Sequence, residues 1–246
     1  MKIEVFEHDL PENLVSFFCN EKFIGVDCET SAVDDKGNLL SYKNGTAGTR
    51  GLDPKTSVLS ILQLSDEKGD YVVFVRRPDK NSVNLKQVLT FTENIKIIHY
   101  AIFDDKFIYS KLGYHVTNMF CTRTLAKLVL PPDVSSSLIN LSQKFFSLDF
   151  KSKDGQKFLF SIDHWEGELT EEQLNYAAMD VAILGKLKDK LIEMADNVKL
   201  KYFYSVMKFV PLSVEIHMDD IYFRLGVLHV DDVFGSNRNW KEYRSA

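Results

Sequence analysis

Disulfide frameworks, cysteine-rich metal sites and membrane spans are all missing from this sequence. Its three cysteines, Cys19, Cys28 and Cys121, are too few and too scattered for either of the first two. No apolar run nears the roughly 18 residues a bilayer span needs. The best, residues 58–64, is broken by Ser60 and Gln63. The N-terminus turns acidic at Glu4 and lacks the apolar centre of a signal peptide. These absences predict a reduced, soluble, intracellular protein, without choosing among cytoplasm, nucleus and organelle. An excess of positive charge is missing too, since 30 Lys and Arg face 35 Asp and Glu, a net charge of −5. A protein that coats duplex DNA through a broad basic face neutralises phosphates with Lys and Arg, so the balance argues against that class. It leaves open a nucleic-acid enzyme whose positive charge is supplied by bound metal ions.

What the chain does have is a globular composition: 45% hydrophobic and 26% charged residues, which excludes disorder. Its 246 residues suit one domain with an extension, or at most two. Segments 22–29, 57–64, 71–75 and 95–99 are β-branched and apolar and read as strands, with 65–70 as a hairpin loop. Residues 30–55 read as a long polar loop containing Gly37, Gly45, Gly48 and Gly51, a candidate functional or mobile insertion. From residue 103 the period becomes helical. Helices are expected up to Gly113, over 122–130 and Leu138–Phe146, from a capping-box pattern at Thr170 to about 194, and over 198–216 with an interruption or kink at Pro211. Strands first, then strands alternating with helices, predict an α/β fold with a mixed sheet.

Three short patterns carry acids. Asp27 and Glu29 end the first strand, and residues i and i+2 of a strand project from one face. Two like charges side by side repel, and a cation compensates them. Asp104 and Asp105 open the helix after strand 95–99, about 100° apart around it, so at most one faces a given site. Tyr176 and Asp180, at i and i+4, share a helix face, with small Ala177 and Ala178 between them. Each pattern alone has an ordinary explanation: solvated acids at a strand end, a helix-capping acid, a surface Tyr–Asp pair. Together, Asp27, Glu29, one acid of the second pattern and Asp180 supply hard oxygen ligands for two adjacent Mg2+ or Mn2+ ions. Such a pair stabilises the attacking and leaving oxygens of phosphodiester displacement, and a nearby phenol can hold the attacking water.

These motifs resemble those of the DEDD superfamily of 3′→5′ exonucleases. The first is Phe23-Ile24-Gly25-Val26-Asp27-Cys28-Glu29-Thr30, the second runs from His99 to Asp104, and the third from Tyr176 to Asp180. The branch with histidine five residues before the last aspartate is not this one, because Asn175 stands there; Tyr176, four before it, marks the tyrosine (DEDDy) branch. Flanks such as Gly51-Leu52-Asp53-Pro54 and Cys121-Thr122-Arg123-Thr124 resemble the proofreading domain of family A DNA polymerases, and more distantly ribonuclease D.

The resemblance implies a ribonuclease H-like fold, a mixed central sheet flanked by helices. An exonuclease domain is expected over 1–200, with its core at about 20–195, and 201–246 as a C-terminal helical extension. The implied activity is metal-dependent 3′→5′ hydrolysis of single-stranded nucleic acid, DNA favoured, releasing nucleoside 5′-monophosphates. Alternatives are RNA 3′-end trimming of ribonuclease D type and a non-catalytic binding or scaffolding protein on the same fold. By the same resemblance Asp27 bridges two ions, Glu29 and Asp180 complete the first, and Asp104 holds the second. Tyr176 orients the water. Thr30, Val33, Tyr100 and Phe103 are the expected substrate contacts, although the family usually has asparagine at the position of Tyr100. Lys151, Lys153 and Lys157 form a candidate basic patch, and 219–246 carries no family signal. Expected partners are single-stranded 3′ ends and proteins of replication, repair or RNA processing, with no membrane.

Overall fold

The structure is a computed structural model and describes residues 1–148 and 163–218. The patch Lys151, Lys153 and Lys157 and the tail 219–246 lie outside the described residues. Among those residues six strands form one mixed sheet: β1 (Lys2–Glu7), β2 (Phe23–Ala32), β3 (Ser57–Ser65), β4 (Tyr71–Arg76), β5 (Ile95–Ile98) and β6 (Met119–Cys121). Their spatial order is β1-β4-β3-β2-β5-β6. The β2–β3–β4 meander is antiparallel, and β5 and β6 add to β2 in parallel. β1 pairs in parallel with β4 at the other edge.

The helices are α1 (Glu12–Asn20), α2 (Val83–Thr90), α3 (Ala101–Leu112), α4 (Thr122–Val129), α5 (Leu138–Phe146), α6 (Glu171–Ala182), α7 (Leu184–Met194), α8 (Asn197–Met207) and α9 (Val210–Met218). They cover the sheet so well that Val72, Val73, Phe74 and Val75 of β4 are all fully buried, the signature of a strand packed on both faces. Phe18, Phe74, Phe107, Phe120 and Phe203 fill the same core. Each contributes about 2–3 kcal/mol by leaving water.

The structure differs from the sequence reading in four places. β1, β6, α1 and α2 were not expected. β1 is an edge strand half open to solvent and carries Lys2, Glu4 and Glu7, so its apolar signal is weak. The segment after β2 is not a bare loop. β2 continues to Ala32, a bridge joins Val33 to Leu39, and short 3-10 turns form at Arg50–Leu52 and Pro54–Thr56. The expected helix over 170–194 divides at Ile183. There the last carbonyls of α6 turn to tertiary partners, Val181 accepting from Ser65 Oγ at 3.1 Å. The interruption at Pro211 is a full break: α9 begins at Val210, so the proline's missing N–H falls in the first turn, where no intrahelical acceptor exists.

Candidate active site

α6 approaches the sheet closely because small residues let it. A Cβ at Gly25 would lie 2.6 Å from the Val181 carbonyl and 2.4 Å from Ser65 Oγ. Gly69, in the β3–β4 turn with φ of +73°, sits where a Cβ would come within 2.1 Å of the Ala182 carbonyl. On the helix side Ala177 and Ala178 are fully buried. The capping box foreseen at Thr170 is formed, with Gln173 N donating to Thr170 Oγ1 at 3.2 Å and Thr170 N to Gln173 Oε1 at 2.9 Å. The start of α6 is therefore fixed at one end and its last turn is pressed onto β2 at the other.

That contact brings three carboxylates together. Asp27, Glu29 and Asp180 each place an oxygen within 4.8 Å of the other two. The two strand acids are half-buried and Asp180 is buried. Tyr176, one turn before Asp180, lies among the same charges. Burial first, and then Asp180, Glu29 and Asp27, push its phenol far above the ordinary tyrosine range, so it stays protonated. Beside it stands buried Trp165, whose ring centroid is 6.5 Å away.

Asp104 reaches the same neighbourhood from α3. It is 1% exposed, and its buried carboxylate oxygens have no N–H or O–H partner, only the thiol of Cys28 beside them. Burial, followed by the charge of Asp27, holds its carboxyl well above the usual range. It stands outside the 4.8 Å group of three. Asp105, equally buried, points elsewhere: its Oδ1 accepts from Val116 N at 2.8 Å and its Oδ2 lies 2.7 Å from His115 Nδ1. Helix geometry alone left the choice between these consecutive acids open and the resemblance named Asp104; here the two have different surroundings. Cys28, beside Asp104, is buried, and burial with the neighbouring carboxylates raises its thiol well above its ordinary value, which makes it inert rather than nucleophilic.

The donor set is all oxygen, three carboxylates converge, and a fourth is buried with only a thiol beside its oxygens. These features fit hard divalent cations such as Mg2+ or Mn2+.

The four expected substrate contacts fare differently. Thr30 is buried and its hydroxyl donates to the Gly51 carbonyl at 2.7 Å, so it ties β2 to the inserted segment and is not free to donate to a nucleotide. Val33 pairs with Leu39 just beyond β2. Phe103 is partly buried, its ring 5.0 Å from Phe107. Tyr100 takes the left-handed conformation, φ 79° and ψ 53°, at the junction of β5 and α3, with the Arg123 guanidinium 4.0 Å above its ring. Asparagine tolerates that conformation better than tyrosine, which gives a physical reason for the family's usual residue there.

Sequence reasoning missed the supports. Ser31 Oγ joins Ser60 Oγ at 2.7 Å and accepts from Trp165 N at 2.9 Å, beside a register shift between Glu29 and Thr30. Arg76 donates to the carbonyls of Glu166 and Gly167 at 3.1 and 2.6 Å, and Arg77 Nε pairs with Glu166 Oε2 at 2.7 Å. Tyr42 N donates to the Asp163 carbonyl at 3.0 Å, and Ser41 Oγ to Asp163 Oδ1 at 2.6 Å. These contacts hold the segment leading into α6. All join residues far apart in sequence, where no local pattern signals them.

Comparison with known proteins bears on the fold and the family. In solved structures the fold recurs in Brucella melitensis NrnC with bound Mg2+, at a TM-score of 0.70 and 22% identity over 89% of this chain and 94% of that one. It recurs in Escherichia coli RNase D at a TM-score of 0.59, 18% identity, 93% of this chain and 52% of that one. The mixed sheet flanked by helices is the ribonuclease H-like arrangement of these exonucleases. Among curated proteins, the Drosophila melanogaster exosome complex component 10 homolog is 25% identical over 142 residues. That match spans 55% of this chain but only 15% of the relative's length. Residues 48–196 match the 3′–5′ exonuclease family. The matched span holds Asp104, Tyr176 and Asp180; Asp27 and Glu29 precede it and join the site through the fold. Among the described residues no helix is long and apolar enough to cross a membrane. The chain belongs to the 3′–5′ exonuclease family.

Proposed function

We propose that the chain removes nucleotides from the 3′ ends of single-stranded RNA as 5′-monophosphates, with two divalent ions held by Asp27, Glu29, Asp104 and Asp180. The observation that carries the reading is the convergence of three carboxylates within 4.8 Å beside a buried fourth whose oxygens lack N–H or O–H partners. Ions bound there would supply Lewis-acid stabilisation of charge on the reacting phosphate. Tyr176, whose phenol pairs with Asp180 among the same carboxylates, is the group placed to orient the attacking water. Trp165 and the buried turn of α6 limit the water around it.

The choice of RNA over the DNA first favoured rests on the relatives. RNase D of E. coli is described as an exoribonuclease involved in structured RNA processing, and the Drosophila relative is an exosome component homolog. The test uses 5′-labelled 20-nucleotide RNA and DNA with free or blocked 3′ ends, in Mg2+, Mn2+ or chelator. A metal-dependent ladder from free RNA ends is expected. Faster loss of DNA restores the DNA reading, and no cleavage of either with metal removes the catalytic one.

A further inference from the structure

We propose that the outer face of α8 and α9 is a platform for single-stranded RNA upstream of the scissile end, a second contact that no part of the active site supplies. It rests on the reading of the enzyme as an RNA exonuclease.

These two helices are apolar on two sides. One side holds Phe203, Met207, Val210 and Val214, all buried, with Phe203 packed 4.6 Å from Phe120 of β6. The other side is open. Tyr202 is 61% exposed, Phe209 58% and Leu212 50%. Val198 and Tyr202 lie about 40° apart on the exposed side of α8, and Phe209 and Leu212 flank the start of α9, also exposed, away from the buried set. Exposed apolar faces of this kind mark binding surfaces.

Charge selects the occupant. Residues 197–214 contain three lysines and no acid, in a chain whose net charge is −5. Lys199 pairs with Asp196 at the helix start, at 3.3 Å. Lys201 and Lys208 are exposed to one side of the aromatic rings. Alternating lysines and open rings are what an unpaired strand requires, because bases stack on aromatic side chains while cations meet phosphates.

The platform's buried side also packs toward the second motif. Met207 Sδ accepts from Cys121 N at 3.3 Å. Cys121 ends β6 and caps α4, whose Arg123 covers Tyr100 of the second motif.

The experiment compares hydrolysis of a 20-nucleotide RNA with that of a diribonucleotide by the full chain. Two double variants are used, Tyr202→Ala with Phe209→Ala and Lys201→Gln with Lys208→Gln. Each should raise KM for the 20-mer at least tenfold, leave its kcat unchanged, and keep kcat/KM for the diribonucleotide within twofold. The lysine variant should also flatten the salt dependence of 20-mer binding by about 1.4 in log–log slope, two phosphates' worth. Unchanged KM for the 20-mer overturns the proposal, and so does equal loss on both substrates. A changed oligomeric mass with unchanged RNA kinetics would assign the face to a protein. Fluorescence anisotropy of the labelled 20-mer in chelator reads the platform without turnover. A chain that binds RNA there yet cleaves none therefore refutes the exonuclease reading and not this one.

Discussion

Replacing Asp27 with asparagine should stabilise the metal-free protein while nearly abolishing catalysis. The side chain keeps its shape and loses its charge. In the native cluster, oxygens of Asp27, Glu29 and Asp180 lie within 4.8 Å of one another. At an effective dielectric of about 20, two unit charges at that distance repel by about 3.5 kcal/mol. Asp27 and Glu29 are only half-buried, so solvent and side-chain rearrangement reduce the realised gain to about 1–2 kcal/mol. For a chain of this size that is a rise in Tm of about 3–6 °C in chelator. With metal the order should reverse. Ligand bound to the folded state alone adds about 2.7 kcal/mol at a hundredfold excess over Kd, and the variant should lose most of it. Activity should fall by about a thousandfold, equivalent to about 4 kcal/mol of transition-state stabilisation. Scanning fluorimetry in chelator and in Mg2+, alongside single-turnover cleavage of labelled RNA, measures all three. A lower Tm in chelator, an undiminished Mg2+ shift, or more than about a tenth of the wild-type rate would refute the assignment of Asp27 as a ligand.

Asp104→Asn should cost activity far more than Asp105→Asn, whereas Asp105→Asn should cost stability by weakening its bonds to His115 and Val116. Equal kinetic loss in the two would reverse the assignment. Tyr176→Phe should lower the single-turnover rate roughly 10- to 1000-fold with metal affinity nearly unchanged, as expected for one positioned hydrogen-bond donor. A rate within twofold would leave the phenol a packing role. Burial lowers the pKa of His115, but its bonds to Asp105 and Glu215 more than reverse that, so the net shift is upward. A raised pKa gives stability that is complete below the unfolded value of about 6.5 and lost as pH rises through the folded one. The Tm advantage of wild type over His115→Gln should therefore shrink between pH 6 and 8.5, and an advantage that grew with pH would contradict the sign.

Elements with strong local periodicity were legible in advance. β3, β4, β5, α5 and the capping box of α6 sit where alternation, apolar runs or cap residues put them. Edge and short elements were not, because β1, β6, α1 and α2 are stabilised by what they pack against more than by their own pattern. The segment after β2 read as a loop because its order comes from distant partners: Arg50 Nη2 on Asp35 at 2.7 Å, and Tyr42 on Asp163. Polar composition does not reveal whether such bonds exist.

The site shows the same division more sharply. Period-two spacing put Asp27 and Glu29 on one face, and i, i+4 spacing put Tyr176 beside Asp180; both follow from backbone geometry alone. The choice between Asp104 and Asp105 does not, since it depends on His115 and Val116 capturing Asp105 from ten and eleven residues away. The closure of α6 onto β2 depends on Gly25, Ser65 and Gly69, three small residues on separate segments that acquire a shared purpose only once the sheet pairs them. A side chain at Gly25 would push Val181, and with it Asp180, away from Asp27. The carboxylate cluster therefore requires the absence of atoms at one strand position as much as the presence of four acids. A motif search weighs residues that carry chemistry and gives little weight to a glycine two positions before the first of them. In this fold that glycine sets the distance at which the chemistry can occur.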